Sequence, residues 1–294
     1  MGAVDVPFSD AEVAAAFDGW NLVTPAVGKG GFKVAYRADR GADPEVVKVL
    51  LEPFDGEPDD FDITEFSERL SRELNAMSST NCPYIVKVTA DAQVMKIGTQ
   101  LFVWYAEPFY SGGTLEERLR TGPLEVKEVL LLARALFTAV EAMWSEHRIV
   151  HRDIKPGNIV FDQVGNPVLL DLGIALYGNL TNITNSFEYS PRTARYAAPE
   201  QFELRKDAQI DFRTDHFLVG MVIYEALTGK HPFWSPGVTM ATYLDRMSTF
   251  GPAQFESIDC PAELRILVTR LLSEKVNRRY RRVEEPLADL SKIS

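Results

Sequence analysis

The densest run of chemistry-bearing residues is His151-Arg152-Asp153-Ile154-Lys155-Pro156-Gly157-Asn158. An aspartate is followed two residues on by a lysine and five residues on by an asparagine. Pro156 and Gly157 make the stretch a loop. Taken alone, Asp-x-Lys-x-x-Asn is also the pattern of a capped turn, so the residues that follow decide the reading. Ile159–Asp162 reads as a strand, Gln163–Asn166 as a turn and Pro167–Leu170 as a returning strand. A hairpin sets its two open ends side by side, and here those ends carry Asn158 and Asp171. One amide oxygen and one carboxylate then converge, a donor set suited to magnesium, which takes few hard oxygen ligands from protein and the rest from water and phosphate. Asp153 stands near such an ion and is free to orient a hydroxyl or accept its proton.

A second candidate cluster lies nearer the N-terminus. Gly28-Lys29-Gly30-Gly31-Phe32 falls between two strand-like runs, where glycines let backbone N–H groups approach phosphate oxygens. Many hairpins carry such glycines, so the stretch is weak by itself. Lys48 adds to it. It lies in Glu45-Val46-Val47-Lys48-Val49-Leu50-Leu51, where an unpaired charge is costly and an anionic partner is expected. Glu73, three residues after Leu70 on a helical stripe, is the candidate partner. The alternatives are an edge-strand lysine and a surface pair of Glu73 with Arg69.

The elements that must position these groups divide by composition of pattern. Trp20–Val27, Phe32–Ala38 and Glu45–Leu51 read as strands, as do Ala92–Ile97 and Leu101–Ala106 around Gly98. Between them a helix is expected from Asp62, with a capping-box-like Asp62/Glu65 start and a stripe of Phe66, Leu70, Leu74 and Met77. After Ser111-Gly112-Gly113 the pattern turns helical: Val126–His147, Phe212–Leu227 ended by Gly229 and Pro232, and Pro261–Ser273. Arg148-Ile149-Val150 reads as a short strand before the loop. The expected fold is therefore α+β and bilobal, a small β-rich lobe with one helix followed by a larger helical lobe.

Length and composition agree. The 294 residues suit two domains, or one with two lobes, at ~150 residues each. The net charge of −11 disfavours nucleic acid and anionic membrane as general partners. Two isolated cysteines, Cys82 and Cys260, fit neither a disulfide framework nor a zinc site and point to a reducing, cytoplasmic compartment. The most apolar stretch, Val129–Trp144, is interrupted by Arg134 and Glu141 and is too short to span a bilayer, and no secretory signal is visible. The acidic run Glu52–Asp62 reads as a solvated loop.

Taken together these residues resemble the eukaryotic-type (Hanks-type) serine/threonine protein kinase family, over nearly the whole chain. The glycine loop is similar to the kinase glycine-rich loop, Lys48 to its strand lysine and Glu73 to the glutamate of its αC helix. The 151–158 run is similar to the catalytic loop. Asp171-Leu172-Gly173 is similar to the magnesium motif, with Leu172 in place of Phe, and Ala198-Pro199-Glu200 to the end of the activation segment. Asp215 and Gly220 resemble an anchoring helix of the large lobe, and Glu200 and Arg279 its ion pair.

The resemblance implies ATP and Mg2+ as cofactors. Gly28, Lys29, Gly30 and Gly31 would cover the phosphates, and Lys48, held by Glu73, would contact them. Asn158 and Asp171 would hold the metal, Asp153 would act as catalytic base and Lys155 would stabilise the transferred phosphoryl group. It implies an N-terminal extension at 1–16 and a kinase domain at 17–294, with N-lobe 17–106, an adenine-binding hinge at about 105–110 and C-lobe 111–294. Two departures stand out: Lys33 occupies the third glycine position and Ala35 the following valine position. Lys33 could project towards the phosphates or lie on the solvent face, and the solvent face is the favoured expectation.

Lys155 and Thr193 follow the serine/threonine pattern, so the expected substrate is a protein hydroxyl, with a basic protein favoured by the acidic excess. A second copy of the chain is a candidate acceptor through trans-autophosphorylation. Arg152 is expected to pair with a phosphate at Thr181, Thr184, Ser186, Ser190 or Thr193, the alternative being that it packs structurally beside a constitutively ordered segment. A pseudokinase is disfavoured because Lys48, Glu73, Asp153, Asn158 and Asp171 are all present. A small-molecule phosphotransferase of related fold is disfavoured by the Ala198-Pro199-Glu200 segment.

Overall fold

The computed structural model describes residues 6–171, 195–202 and 210–293. These divide into two compact units, one within Met1–Ser79 and Val86–Phe109, the other within Thr80–Ile85 and Tyr110–Ser294.

The first unit is built on a five-stranded antiparallel sheet in the order β1-β2-β3-β5-β4. The strands are β1 (Leu22–Lys29), β2 (Lys33–Ala38), β3 (Glu45–Pro53), β4 (Ala90–Ile97) and β5 (Gln100–Pro108), close to the expected runs. Register sorts the side chains. Val34 pairs with Val49 and Tyr36 with Val47; Val47 in turn pairs with Ala106 and Val49 with Trp104. All six are buried in one cluster on one face of the sheet. The same cluster holds Phe8, Val13 and Phe17, which flank or belong to helix α1 (Asp10–Ala16). A Ser9–Glu12 capping box starts that helix. Residues read from sequence as an extension thus contribute side chains to the sheet's core.

The helix expected from Asp62 comes in two pieces, α2 (Ile63–Phe66) and α3 (Glu68–Ser79). Asp62 Oδ1 accepts from Thr64 N at 2.6 Å, starting the first piece. Ser67 Oγ accepts from Leu70 N at 3.1 Å, restarting the second. The side chains of Glu65 and Arg69 lie outside the described residues, whereas Leu70, Leu74 and Met77 are buried as the stripe predicts.

The second unit is helical around α4 (Leu115–Leu119), α5 (Val126–His147), α6 (Phe212–Thr228), α7 (Met240–Ser248), α8 (Ala262–Leu271) and α9 (Glu285–Leu290), with one hairpin, β6 (Ile159–Phe161) and β7 (Pro167–Leu169). Helix α5 keeps the limits read from sequence. Arg148–Val150 is not a strand. Arg148 is the left-handed cap of α5 (φ 55°), and its N–H and that of Ile149 close on Trp144 O and Met143 O. The β-branched pair after Arg148 imitates a strand in sequence, while the helix end uses those N–H groups.

Helix α6 is buried along most of its length and ends at Gly229 in the left-handed region (φ 67°). A Cβ on Gly220 would lie 2.8 Å from Leu271 Cβ and 3.1 Å from Leu272 Cδ2. Glycine there sets how closely α6 approaches α8. Gly220→Ala is expected to lower stability by about 1–3 kcal/mol through overpacking, read as a shifted urea midpoint with an unchanged slope.

Candidate active site

The catalytic-loop candidate is held from below by the first turn of α6. Asp215, fully buried, accepts from His151 N and Arg152 N, each at 2.8 Å. Arg152 has φ 68°, a conformation that costs energy in a non-glycine residue, and the two hydrogen bonds to Asp215 hold it there. Burial pushes the Asp215 carboxyl up to about 7, and the two backbone donors act against that shift. His151 is buried as well, and desolvation keeps its imidazole below the usual range, hence neutral. Asp153 N donates to His151 Nδ1 at 3.3 Å, so the proton sits on Nε2, which faces Leu170 O at 3.0 Å. The ring therefore links the loop to the strand end that precedes Asp171.

Asp153 is the hub. Lys155 Nζ donates to its Oδ1 at 2.9 Å and its Oδ2 at 2.7 Å. Asn158 Nδ2 donates to Asp153 Oδ2 and to Asp153 O, both at 2.9 Å. Both acceptors are oxygens, which fixes the amide orientation and leaves the Asn158 amide oxygen as the atom that could serve a metal. Leu170 N donates to Asn158 O at 2.8 Å, so the hairpin ends are adjacent, as expected. Asp171, at φ 49°, follows directly. An amide oxygen and a carboxylate carried at the adjacent ends of one hairpin are a donor set that fits magnesium. The glycines before α4 belong to this construction: a Cβ on Gly112 would meet Phe161 O at 2.5 Å, while Gly112 N donates to that oxygen. Leu172, Gly173 and the hydroxyls of Thr181, Thr184, Ser186, Ser190 and Thr193 lie outside the described residues.

The segment at 195–202 is tied to the same loop. Gln201 Oε1 accepts from Ala198 N at 2.8 Å and Gln201 Nε2 donates to Arg152 O at 3.0 Å. Glu200 and Arg279 form a forked, buried ion pair at 2.7 and 3.0 Å. Sequence reasoning missed Gln201; its only signal is its place next to Glu200.

His216, beside the anchoring Asp215, is fully buried among Phe137, Phe212 and Tyr280, and burial pushes it down to about 3. A histidine held neutral in the fold titrates first in the unfolded chain, so its stabilising share is lost as pH falls below ~6.5. His216→Phe is expected to flatten the fall in stability between pH 7 and 5, by up to ~1.4 kcal/mol per pH unit, in denaturant midpoints measured across that range.

In the first unit, opposite the α1 face, register builds a cross-strand row. Gly28 pairs with Ala35, Ala35 with Lys48, and Lys48 with Tyr105. Residues directly opposite one another share a face, and so do their neighbours two positions along, Lys33 and Glu107. Lys48 Nζ forms an ion pair with Glu107 Oε2 at 2.5 Å, with 6% and 2% of the side chains exposed. Glu107 is thus a residue the sequence reading passed over. Its signal was an acid inside an apolar strand, in phase with Tyr105. Glu73 is buried on α3. The stretch expected to be a hinge at about 105–110 continues β5 as far as Pro108, which pairs with Glu45. Lys33 does not face solvent as expected; it is half-buried and donates to Tyr105 Oη at 2.9 Å.

A five-stranded antiparallel sheet with a helix after its third strand, joined to a helical unit carrying a loop–hairpin site, is the protein-kinase-like fold. The crystal structure of Rad53 in complex with AMP-PNP shares it, with a TM-score of 0.68 and 21% identity over 92% of this chain and 64% of that one. The protein kinase domain family matches residues 23–287, and the chain belongs to that family. Among curated relatives, the serine/threonine-protein kinase PrkC of Bacillus subtilis is 28% identical over 90% of this chain and 39% of its own length. A probable serine/threonine-protein kinase of Clostridium perfringens is 30% identical over 91% and 37%. The chain thus spans about two-fifths of the length of these relatives.

Proposed function

We propose that this chain transfers the γ-phosphoryl group of Mg-ATP to a serine or threonine hydroxyl of a protein. The observation that carries the reading is Asp153, whose two carboxylate oxygens are aligned by Lys155 and Asn158 while the loop beneath it is fixed by Asp215. Asp153 orients the acceptor hydroxyl and takes its proton. Lys155 balances charge at the transferred group, and Gly28, Lys29, Gly30, Gly31 and Lys48 hold phosphates, with Glu73 supporting Lys48. Gly30 and Gly31 are not demanded by packing: an added Cβ would meet nothing within 4 Å at Gly31 and only Lys33 O at 3.5 Å at Gly30. That supports a loop kept small for an outside group. Asn158 and Asp171 would hold magnesium, which when bound neutralises charge on the phosphates. No covalent intermediate on the protein is needed, so positioning and electrostatics carry the reaction.

The acceptor is read as a basic protein or a second copy of this chain. The compartment is read as cytoplasmic, supported by two buried cysteines, Cys82 and Cys260, neither of which forms a disulfide. No helix among the described residues is long and apolar enough to cross a membrane.

The test is incubation of the purified chain with Mg-ATP labelled at the γ-phosphate, alone and with a generic basic protein. Label on serine and threonine is the expected result. Label confined to tyrosine or to a small molecule, or none at all with ATP still bound, overturns the reading.

A further inference from the structure

Gln201 is tied at both ends of its side-chain amide, and the two ties differ in kind. Its Oε1 accepts from Ala198 N at 2.8 Å, three residues back, which is how a glutamine closes the start of a short helix, here Pro199–Phe202. Its Nε2 donates at 3.0 Å to Arg152 O, 49 residues away, and nothing in that helical turn requires it. The carbonyl that receives it is the important one. Arg152 O and Asp153 N belong to one peptide plane, gripped on both edges: by Gln201 at the carbonyl and by His151 Nδ1, at 3.3 Å, at the N–H. Arg152 N donates to Asp215 Oδ1 and Asp153 O accepts from Asn158 Nδ2. All four backbone polar groups of Arg152 and Asp153 are thus engaged, in a stretch where Arg152 holds a costly conformation (φ 68°). The plane leads directly into Asp153 Cα, so its tilt sets where the carboxylate points. Gln201 itself stands on a fixed base. Its neighbour Glu200 accepts from Thr214 Oγ1 at 2.7 Å, and Thr214 precedes Asp215 on α6. The path closes on itself: α6 holds the loop through Asp215, and holds Gln201 through Thr214 and Glu200.

We propose that Gln201 is a positioning residue for phosphotransfer, aiming the Asp153 carboxylate through the Arg152–Asp153 peptide. This rests on the function proposed above and adds a residue which that reading does not use. Because the same amide is anchored to Ala198, it passes the placement of residues 195–202 on to the base. Lys155 and Asn158 fix the carboxylate from its outer side, whereas Gln201 fixes the backbone from which it projects. A small tilt of that backbone moves the acceptor oxygen off the line to a hydroxyl, and rate is sensitive to such displacements.

The experiment measures steady-state transfer from Mg-ATP to a generic basic protein by the full chain, beside thermal melts and amide hydrogen exchange. It compares the parent with Gln201→Glu, Gln201→Lys and Gln201→Met. Gln201→Glu keeps an acceptor for Ala198 N and turns the donor to Arg152 O into an oxygen. Gln201→Lys does the reverse, and Gln201→Met fills the space with neither. A role confined to closing the helical turn predicts that Gln201→Glu is harmless and Gln201→Lys is not; positioning predicts the opposite order. Gln201→Glu and Gln201→Met are expected to lower kcat about tenfold while the KM for ATP changes less than about twofold. In both, the amides of residues 151–153 are expected to exchange faster while those of α5 keep the parent rate. Gln201→Lys is expected to retain most of the parent kcat. A kcat within about twofold of the parent in both Gln201→Glu and Gln201→Met, or a greater loss in Gln201→Lys than in Gln201→Glu, overturns the proposal while leaving the proposed function intact. A parent chain that transfers no phosphate overturns both.

Discussion

Asp153→Asn is expected to lower the phosphotransfer rate by about 10²–10⁴-fold while changing the KM for ATP less than twofold. Every contact of the Asp153 carboxylate is with a donor: Lys155 on both oxygens and Asn158 on Oδ2. An asparagine amide keeps one acceptor and turns the other into a donor aimed at donors. It also loses the charge that balances Lys155 and the basicity needed to take a proton from a hydroxyl. The fold has little stake in the change, because Asp215, not Asp153, fixes the loop backbone. Rate and stability should therefore separate. Steady-state kinetics on a protein acceptor, beside a thermal melt, checks this, and a variant retaining more than a tenth of the parent rate would show that Asp153 is not the base.

The largest effect on stability is expected at Arg279. Its guanidinium is buried and donates to Glu200 on both oxygens, to Ser273 O at 2.9 Å and to Arg213 O at 3.0 Å. Glu200 also accepts from Thr214 Oγ1 at 2.7 Å. Removing the cation strands a carboxylate with one hydroxyl for company. Arg279→Met should cost about 3–5 kcal/mol, because an uncompensated buried charge remains. Arg279→Lys should also lose stability, since a lysine cannot reproduce the fork. Removing both charges together with Glu200→Leu should recover part of the loss, as the buried charge is gone. Urea titrations of the two singles and the double test this. Single variants within 1 kcal/mol of the parent would mean that the pair is held by something other than its own charge balance.

Much of this was legible beforehand because it depends on short stretches of chain. The strands of the first unit, the limits of α5 and the hairpin with Asn158 and Asp171 at its ends follow from pattern and turn chemistry, whereas the distant pair Glu200–Arg279 was implied only by the family resemblance. What escaped depends on contacts distant in sequence. Glu107 reaches Lys48 only through the register of β3 on β5, and Lys33 turns to that face only because β2 pairs with β3 as it does. The reading of Arg148–Val150 as a strand failed for a different reason. β-branched residues after a helix satisfy strand propensity, while the helix end claims the N–H groups of Arg148 and Ile149. The contribution of Phe8 and Val13 to the sheet's core is also non-local and has no signature in the helix alone.

The cross-strand row has a consequence for how this gene can vary in length. Side chains on a strand alternate faces, so one residue inserted within β3 would send Lys48 toward α1 and bring a valine into its place. A deletion within β2 would do the same to Lys33 and Ala35. The turn between those strands, residues 39–44, imposes no such parity. In a library of single-residue insertions and deletions across this unit, survivors should cluster in that turn, leaving strand interiors nearly empty.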